Sequence, residues 1–309
     1  MDINKLRFSA SYASKYHNCH GSANLTEAIP GFEVKRSERA KSRDQGTALH
    51  AVMDDVIKSG ADLRTAALIL RELAGVFGKG RANLIRDQKA YIIWLFQLGH
   101  VTIPLEHAHV RHLLYKLPAK ETGEMVEEST PPKLIRFLAT ALELIADIME
   151  DGGIIVTEAE REASWMVSKP KTTVDILIRQ ADTLWVIDLK AGTIPVAAVG
   201  NEQLLYYART FWEGEKMFKL LIIQDGNMEV WQILPKYLED WTIAIQSSEK
   251  AILDGDLSLN AGPWCGFCPA NPRSRGDKGY PFCPVQIELL YGPGDEAASD
   301  EAVATDADW

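Results

Sequence analysis

The sequence predicts an α/β protein: a sheet-bearing core that follows a large helical insertion. Three observations lead there. Residues 61–150 carry apolar side chains at helical spacing in successive blocks, and the pattern switches to strand-like alternation at Ile154. A further helical stretch, Asn201 to Glu213, then separates a three-strand meander from the next strand.

Taken in order, Ser9 to Cys19 reads as a short helix capped by serines and ending near the cysteine, followed by a polar, basic loop. A helix is expected to start near Gln45, with Leu49, Val52, Met53 and Val56 on one stripe and His50 beside it. Helices follow over Leu63–Phe77, Ala82–Leu98 and, after a loop from Ala119 to Pro131, over Pro132–Glu150. Asp151-Gly-Gly153 ends the last of them. Strands are expected over 154–167, 172–179 and 183–189, the last two joined by a tight turn at Ala181-Asp182. After the helix at 201–213 come strands at 218–224 and 228–234 and a long helix from Pro235 to Leu253. The resulting division is an N-terminal segment (1–45), a helical region (46–150), a core (151–260), a cysteine-bearing segment (261–291) and a tail (292–309).

Composition narrows the class. With 309 residues, 46% hydrophobic and 25% charged, the chain can bury a sizeable core without staples, so its four cysteines call for another role. No apolar run reaches the roughly 18 residues of a membrane span, and the N-terminus lacks a signal-like stretch. An intracellular, cytoplasmic protein with reduced thiols is expected, where clustered cysteines more often bind metal than pair. The net charge of −10 argues at first against a polyanionic partner, but six acids and no base lie in Gly292–Trp309. The body is only mildly acidic. It carries basic clusters at Lys35, Arg36, Arg39, Lys41 and Arg43 and at Arg273, Arg275 and Lys278, which suit either a solvated face or a phosphate backbone.

Two constellations bear chemistry. Asp175, Asp188 and Lys190 fall on the expected hairpin, with Lys190 and Asp188 on one face of their strand. Paired carboxylates can hold Mg²⁺ or Mn²⁺, and a nearby ammonium can steady the transition state of phosphodiester hydrolysis. The same string also fits a surface hairpin ending in a solvated Asp and Lys. His50, in a G-x-x-x-H arrangement from Gly46, can add a nitrogen ligand or serve the core; Gln203 and Tyr207, four apart, share one helix face. Cys265 and Cys268 have C-x₂-C spacing, and with Cys283 and the distant Cys19 they suit a Cys₄ site for iron–sulfur or zinc. His17 and His20 beside Cys19 keep a zinc version open.

Together these residues resemble the RecB-like branch of the PD-(D/E)XK nucleases, the group that includes CRISPR-associated RecB-like exonucleases, AddB-type iron–sulfur nucleases and related phage proteins. The resemblance rests on Gly46-Thr-Ala-Leu-His50, Thr173-Val-Asp175, Asp188-Leu-Lys190, Gln203-Leu-Leu-Tyr-Tyr207 and the cysteines, and spans most of the chain. It departs from the family in lacking a glycine before Asp175 and in a longer gap between Cys268 and Cys283. It implies a restriction-endonuclease-like core, a mixed sheet flanked by helices. His50, Asp175 and Asp188 would be Mg²⁺ or Mn²⁺ ligands, Lys190 catalytic, and Gln203 and Tyr207 would contact DNA or support the site. Cys19, Cys265, Cys268 and Cys283 would hold a [4Fe–4S] cluster that joins the two ends of the chain.

The expected function is that of a metal-dependent DNA exonuclease acting on single strands or duplex ends in phage or bacterial replication or recombination. Arg273 and Arg275 would be further DNA contacts. The alternative is a non-catalytic DNA-binding accessory protein of recombination or CRISPR adaptation that keeps a structural metal cluster. The tail, too poor in apolar residues to fold, is expected either to solubilise or to dock replication and recombination partners through Asp306-Ala-Asp-Trp309.

Overall fold

The computed structural model describes residues 8–23, 39–99, 105–118, 125–192, 194–256, 258–268 and 283–285. Helix α1 (Ala13–Asn18) ends at Cys19, which forms its C-cap. Helix α2 (Arg39–Lys58) begins well before the expected Gln45 and runs through Gly46. Helix α3 (Leu63–Gly78) is capped by Asp62, whose side chain accepts from the Thr65 N–H at 2.8 Å. The expected helix over 82–98 is broken into α4 (Asn83–Arg86) and α5 (Gln88–Gln97). Asp87 is the reason: it leaves helical backbone geometry and caps α5 by accepting from the N–H groups of Lys89 and Ala90, a local competition that helical spacing does not reveal.

A short α6 (His107–Arg111) precedes a hairpin of β1 (Leu114–Pro118) and β2 (Met125–Ser129), the second of which falls within the loop expected from Ala119 to Pro131. Five-residue strands are too short to register as a period. Helix α7 (Pro132–Met149) opens with proline at its first position, where the missing N–H costs nothing, and packs Ile135, Leu138, Leu142 and Ile145 against α3. Each such fully buried side chain contributes roughly 1.5–3 kcal/mol. Gly153 (φ 130°) turns the chain into the sheet; a Cβ there would stand 2.7 Å from the Arg179 carbonyl oxygen.

The sheet comprises β3 (Ile154–Glu162), β4 (Lys171–Gln180), β5 (Thr183–Lys190), β6 (Met217–Gln224) and β7 (Asn227–Ile233), in that spatial order. Every neighbouring pair is antiparallel except β5–β6, which is parallel and joined across α8 (Glu202–Phe211). The chain is therefore a mixed α/β protein with a five-stranded sheet flanked by helices. Strand β3 stops at Glu162 instead of continuing to Val167. The following loop is held by Glu249 of α9 (Pro235–Leu253), which accepts from the N–H groups of Val167 and Ser168 at 2.9 and 2.8 Å. One face of the sheet packs against α2, α3 and α7, the other against α1, α8 and α9. Among the described residues no helix is long and apolar enough to cross a membrane. The expected basic contacts Arg273 and Arg275, the residues Lys35 and Arg36 and the tail 292–309 lie outside the described residues.

Candidate functional site

The site forms where the pleat of the sheet breaks. Thr157 pairs with Ile176 and Ala159 with Val174, so the register sets Glu158 level with Asp175; the Ile176–Ile187 pair sets Asp175 level with Asp188. Three carboxylates thus lie side by side on three consecutive strands. Glu158 has left-handed backbone (φ 47°), a conformation costly for any residue but glycine. Val174 and Ile176, two apart in one strand, belong to cores on opposite faces of the sheet, so alternation fails at Asp175.

His50 approaches from α2, which is pinned to β3 one turn later by the Thr157 hydroxyl donating to Asp54. Its Nδ1 stands 3.3 Å from Asp175 Oδ1 and 3.7 Å from Glu158 Oε1, and its Nε2 lies 3.3 Å from the Leu189 carbonyl oxygen. Ligand atoms of His50, Glu158 and Asp175 all lie within 4.8 Å of one another, the only such set of three or more His, Cys, Asp or Glu donors among the described residues. Burial works against a charged imidazole, but the hydrogen bond and charge of Asp175, with Glu158 and Asp188 behind it, outweigh it and lift His50 to about 8. Burial, reinforced by Asp175, raises Glu158 as well.

Asp188 is 3% exposed. Burial lifts it to about 6, against the opposing pull of the Lys190 ammonium. Lys190 Nζ stands 2.7 Å from Asp188 Oδ2 as an ion pair, yet that oxygen has no partner with hydrogen-bond geometry. Gln203 bridges the pair: its Oε1 accepts from Lys190 Nζ at 3.3 Å, and its Nε2 donates to Asp188 Oδ1 at 3.3 Å and to the Tyr207 hydroxyl at 2.7 Å. Asn201 starts α8 by capping the N–H groups of Gln203 and Leu204, which fixes where Gln203 emerges. Tyr207 is buried, with its hydroxyl engaged by Gln203, so its observed place is in support of the site.

The four cysteines, Cys19 near one end of the chain and Cys265, Cys268 and Cys283 near the other, converge. None of the four is in a disulfide, and all are buried. With Lys15, Ser22, Asn260 and Trp264 they line one concavity of about 320 Å³, counting space open to solvent. Backbone N–H groups point at sulfur: Asn260 to Cys19 Sγ and Gly262 to Cys265 Sγ, both at 3.4 Å. Burial pushes the Cys19 thiol up, opposed by the N–H groups of Asn260 and Ser22. His17 and His20 turn to Glu202 (2.8 Å) and Asp256 (2.6 Å) and are not among the lining groups.

A family profile described as "Protein of unknown function (DUF2800)" matches residues 6–280. The chain belongs to the DUF2800 family. The match takes in every residue named above from the carboxylate row and three of the four cysteines, Cys283 falling just beyond it. No curated protein matches this DUF2800 chain. Among solved structures, one titled "Crystal structure of SSO0001" is similar over 44% of this chain and 71% of its own, at 16% identity and a TM-score of 0.27.

Sequence reasoning named His50, Asp175, Asp188, Lys190, Gln203 and Tyr207, and the structure brings all six to one end of β5. It missed Glu158, which looks like one more charged residue in Glu158-Ala-Glu160-Arg161-Glu162 and joins the site only through register.

Proposed function

We propose that this chain is a PD-(D/E)XK-type, RecB-like deoxyribonuclease that uses Mg²⁺ or Mn²⁺ to hydrolyse phosphodiester bonds of single-stranded DNA or duplex ends. The observation that carries the reading is the junction of Asp175, Asp188 and Lys190 with His50 and Gln203 at one end of the sheet. The donor set suits a hard or borderline divalent cation: carboxylate oxygens with one imidazole, and a buried Asp188 oxygen without a hydrogen-bond partner. A divalent cation there would lower the pKa of a water and offset charge growing on the phosphate. His50, Asp175 and Asp188 would hold it, with Glu158 beside them.

Lys190 supplies the fixed positive charge. Its ammonium is held between Asp188 and the Gln203 carbonyl oxygen, so it needs no reorganisation to face an anionic phosphate. Glu158, at the exposed side of the row, marks where the site opens to solvent.

The thiol site is read as holding a [4Fe–4S] cluster. Four buried thiols lining one concavity are soft donors that suit an iron–sulfur cluster, and zinc is the alternative guest of the same set.

End-labelled single strands and blunt duplexes incubated with the full chain and Mn²⁺ test the activity. Cleavage is expected, and Asp188→Ala and Lys190→Ala are each expected to abolish it with the circular dichroism unchanged. Cleavage retained in both variants overturns the reading.

A further inference from the structure

The two sites are separate, yet one turn of helix touches both. His17 and Asn18, the two residues before Cys19, both bind Glu202: His17 Nδ1 lies 2.8 Å from Oε2, and Asn18 Nδ2 donates to Oε1 at 3.0 Å. The next residue along α8, Gln203, holds Lys190 and Asp188. Both oxygens of Glu202 are thus committed to the cysteine segment, and its side chain is largely shielded from water at 14% exposure. Around this contact, α1 packs Ala13 and Tyr16 into the core shared with α8 and α9, and the Ser248 hydroxyl of α9 donates to the His17 carbonyl oxygen at 3.4 Å.

We propose that Glu202 is a positioning residue that ties occupancy of the four-cysteine site to the placement of Lys190 and Asp188, an inference that rests on the reading of the two sites given above. Ligation at Cys19 fixes the end of α1. Fixing that end fixes His17 and Asn18, hence both carboxylate oxygens of Glu202, hence the first turn of α8 and the Gln203 amide. Without ligation, Cys19 keeps its backbone bonds to Lys15 and Ser22, but its sulfur has only weak N–H contacts such as that from Asn260. The first turn of α8 then loses its outer anchor and keeps the Asn201 cap and the Tyr207 hydroxyl, while the Gln203 amide meets Lys190 and Asp188 only through hydrogen bonds of about 3.3 Å.

The test compares the full-length wild type, Cys19→Ser, Glu202→Ala, Glu202→Gln and the Cys19→Ser/Glu202→Ala double variant. Two quantities are read: hydrogen exchange at the amides of residues 203–205, and Mn²⁺ affinity from the electron paramagnetic resonance of free Mn²⁺. Cys19→Ser and Glu202→Ala are each expected to speed exchange and to weaken Mn²⁺ binding about fivefold. Because they act on one path, the double variant falls within about twofold of either single one. Glu202→Gln, which can still accept from Asn18 and donate to His17, stays near wild type. If Cys19→Ser does not fold, wild type stripped of metal at the thiol site takes its place. Effects that multiply in the double variant overturn the proposal, as does a Glu202→Ala protein that melts lower with exchange at 203–205 and Mn²⁺ affinity unchanged. Mn²⁺ affinity insensitive to Asp175→Asn would sink the metal-centre reading instead. The exchange comparison would still decide the link, and unchanged protection on loss of thiol ligation would break it.

Discussion

The Leu189 backbone N–H donates to Asp175 Oδ2 at 2.8 Å, so the acid on β4 is fixed by the strand that carries Asp188 and Lys190. One oxygen of Asp175 is spent on this bond and the other faces His50. The separation of the two acids is therefore set by backbone, and the imidazole meets an acid that is already oriented.

Asp175→Asn keeps an oxygen for the Leu189 N–H and removes the charge. Above pH 8, where His50 is neutral, the variant should fold with a melting temperature equal to or above wild type, since it relieves repulsion from Glu158 and Asp188. Its Mn²⁺ affinity should fall more than about 100-fold. Calorimetric titration showing unaltered Mn²⁺ binding would count against Asp175 as a ligand.

Glu158→Gly should trade function for stability. Glycine adopts φ 47° without the Cβ clash, so unfolding free energy should rise by about 1 kcal/mol while Mn²⁺ binding weakens. Glu158→Ala keeps the strained backbone and should weaken binding without the gain. Urea melts of the two variants separate these outcomes, and equal stability would show that the backbone at 158 carries no strain.

His50 is raised in the folded chain from 6.5 to about 8. A raised folded value means extra stability fully present below pH 6.5 and lost as pH climbs through 8. Asp188, raised from 3.8 to about 6, acts in the same direction at lower pH: its contribution is lost as pH rises through 6. Metal-free protein should thus lose about 1 kcal/mol between pH 6.5 and 8 from His50, out of about 2 kcal/mol over the whole titration, and His50→Gln should flatten that limb. Mn²⁺ affinity should move oppositely, rising toward pH 8 as the competing proton leaves. Melting curves across pH 5–9 in a chelator and in Mn²⁺ would show both slopes; a flat metal-free profile between 6.5 and 8 would contradict them.

Protein purified without oxygen should be brown and carry iron and sulfide, and Cys265→Ser should lose the colour and melt lower. Lys15 lines the thiol concavity, its ammonium pulled below its ordinary range by burial and favoured by Cys268. Lys15→Met removes that positive charge and should make the bound cluster's reduction potential more negative. Zinc as the sole metal found would end the cluster reading.

Glu249 is fully buried and accepts from the N–H groups of Val167 and Ser168. Glu249→Ala removes the acceptor that ties this part-exposed loop to α9 and should cost about 2 kcal/mol. A loss under 1 kcal/mol in urea unfolding would mean that the 164–169 loop finds other partners.

Much of this was legible in the residues themselves. Pattern gave β4, β5, β6 and β7 nearly to the residue: the largely buried β5 and β6 are apolar runs, and β4 and the half-exposed edge strand β7 are short segments bounded by turns. Pro132 and Pro235 marked helix starts because proline tolerates the first turn. Asp188 and Lys190 could be placed together because they share one strand, and Gln203 with Tyr207 because they share one helix. What local pattern could not give depends on partners distant in sequence. Asp87 breaks a helix by winning a contest between side chain and backbone. Glu158 enters the site only because β3 pairs with β4 in one register, and a slip of one residue would have left it outside. Glu202 matters only because the end of α1 lands on the start of α8, 184 residues away. Residue types and periods determined the elements and the chemistry available; tertiary packing decided which carboxylates share a site and which segment anchors it, since those contacts are set by register and burial rather than by any local preference.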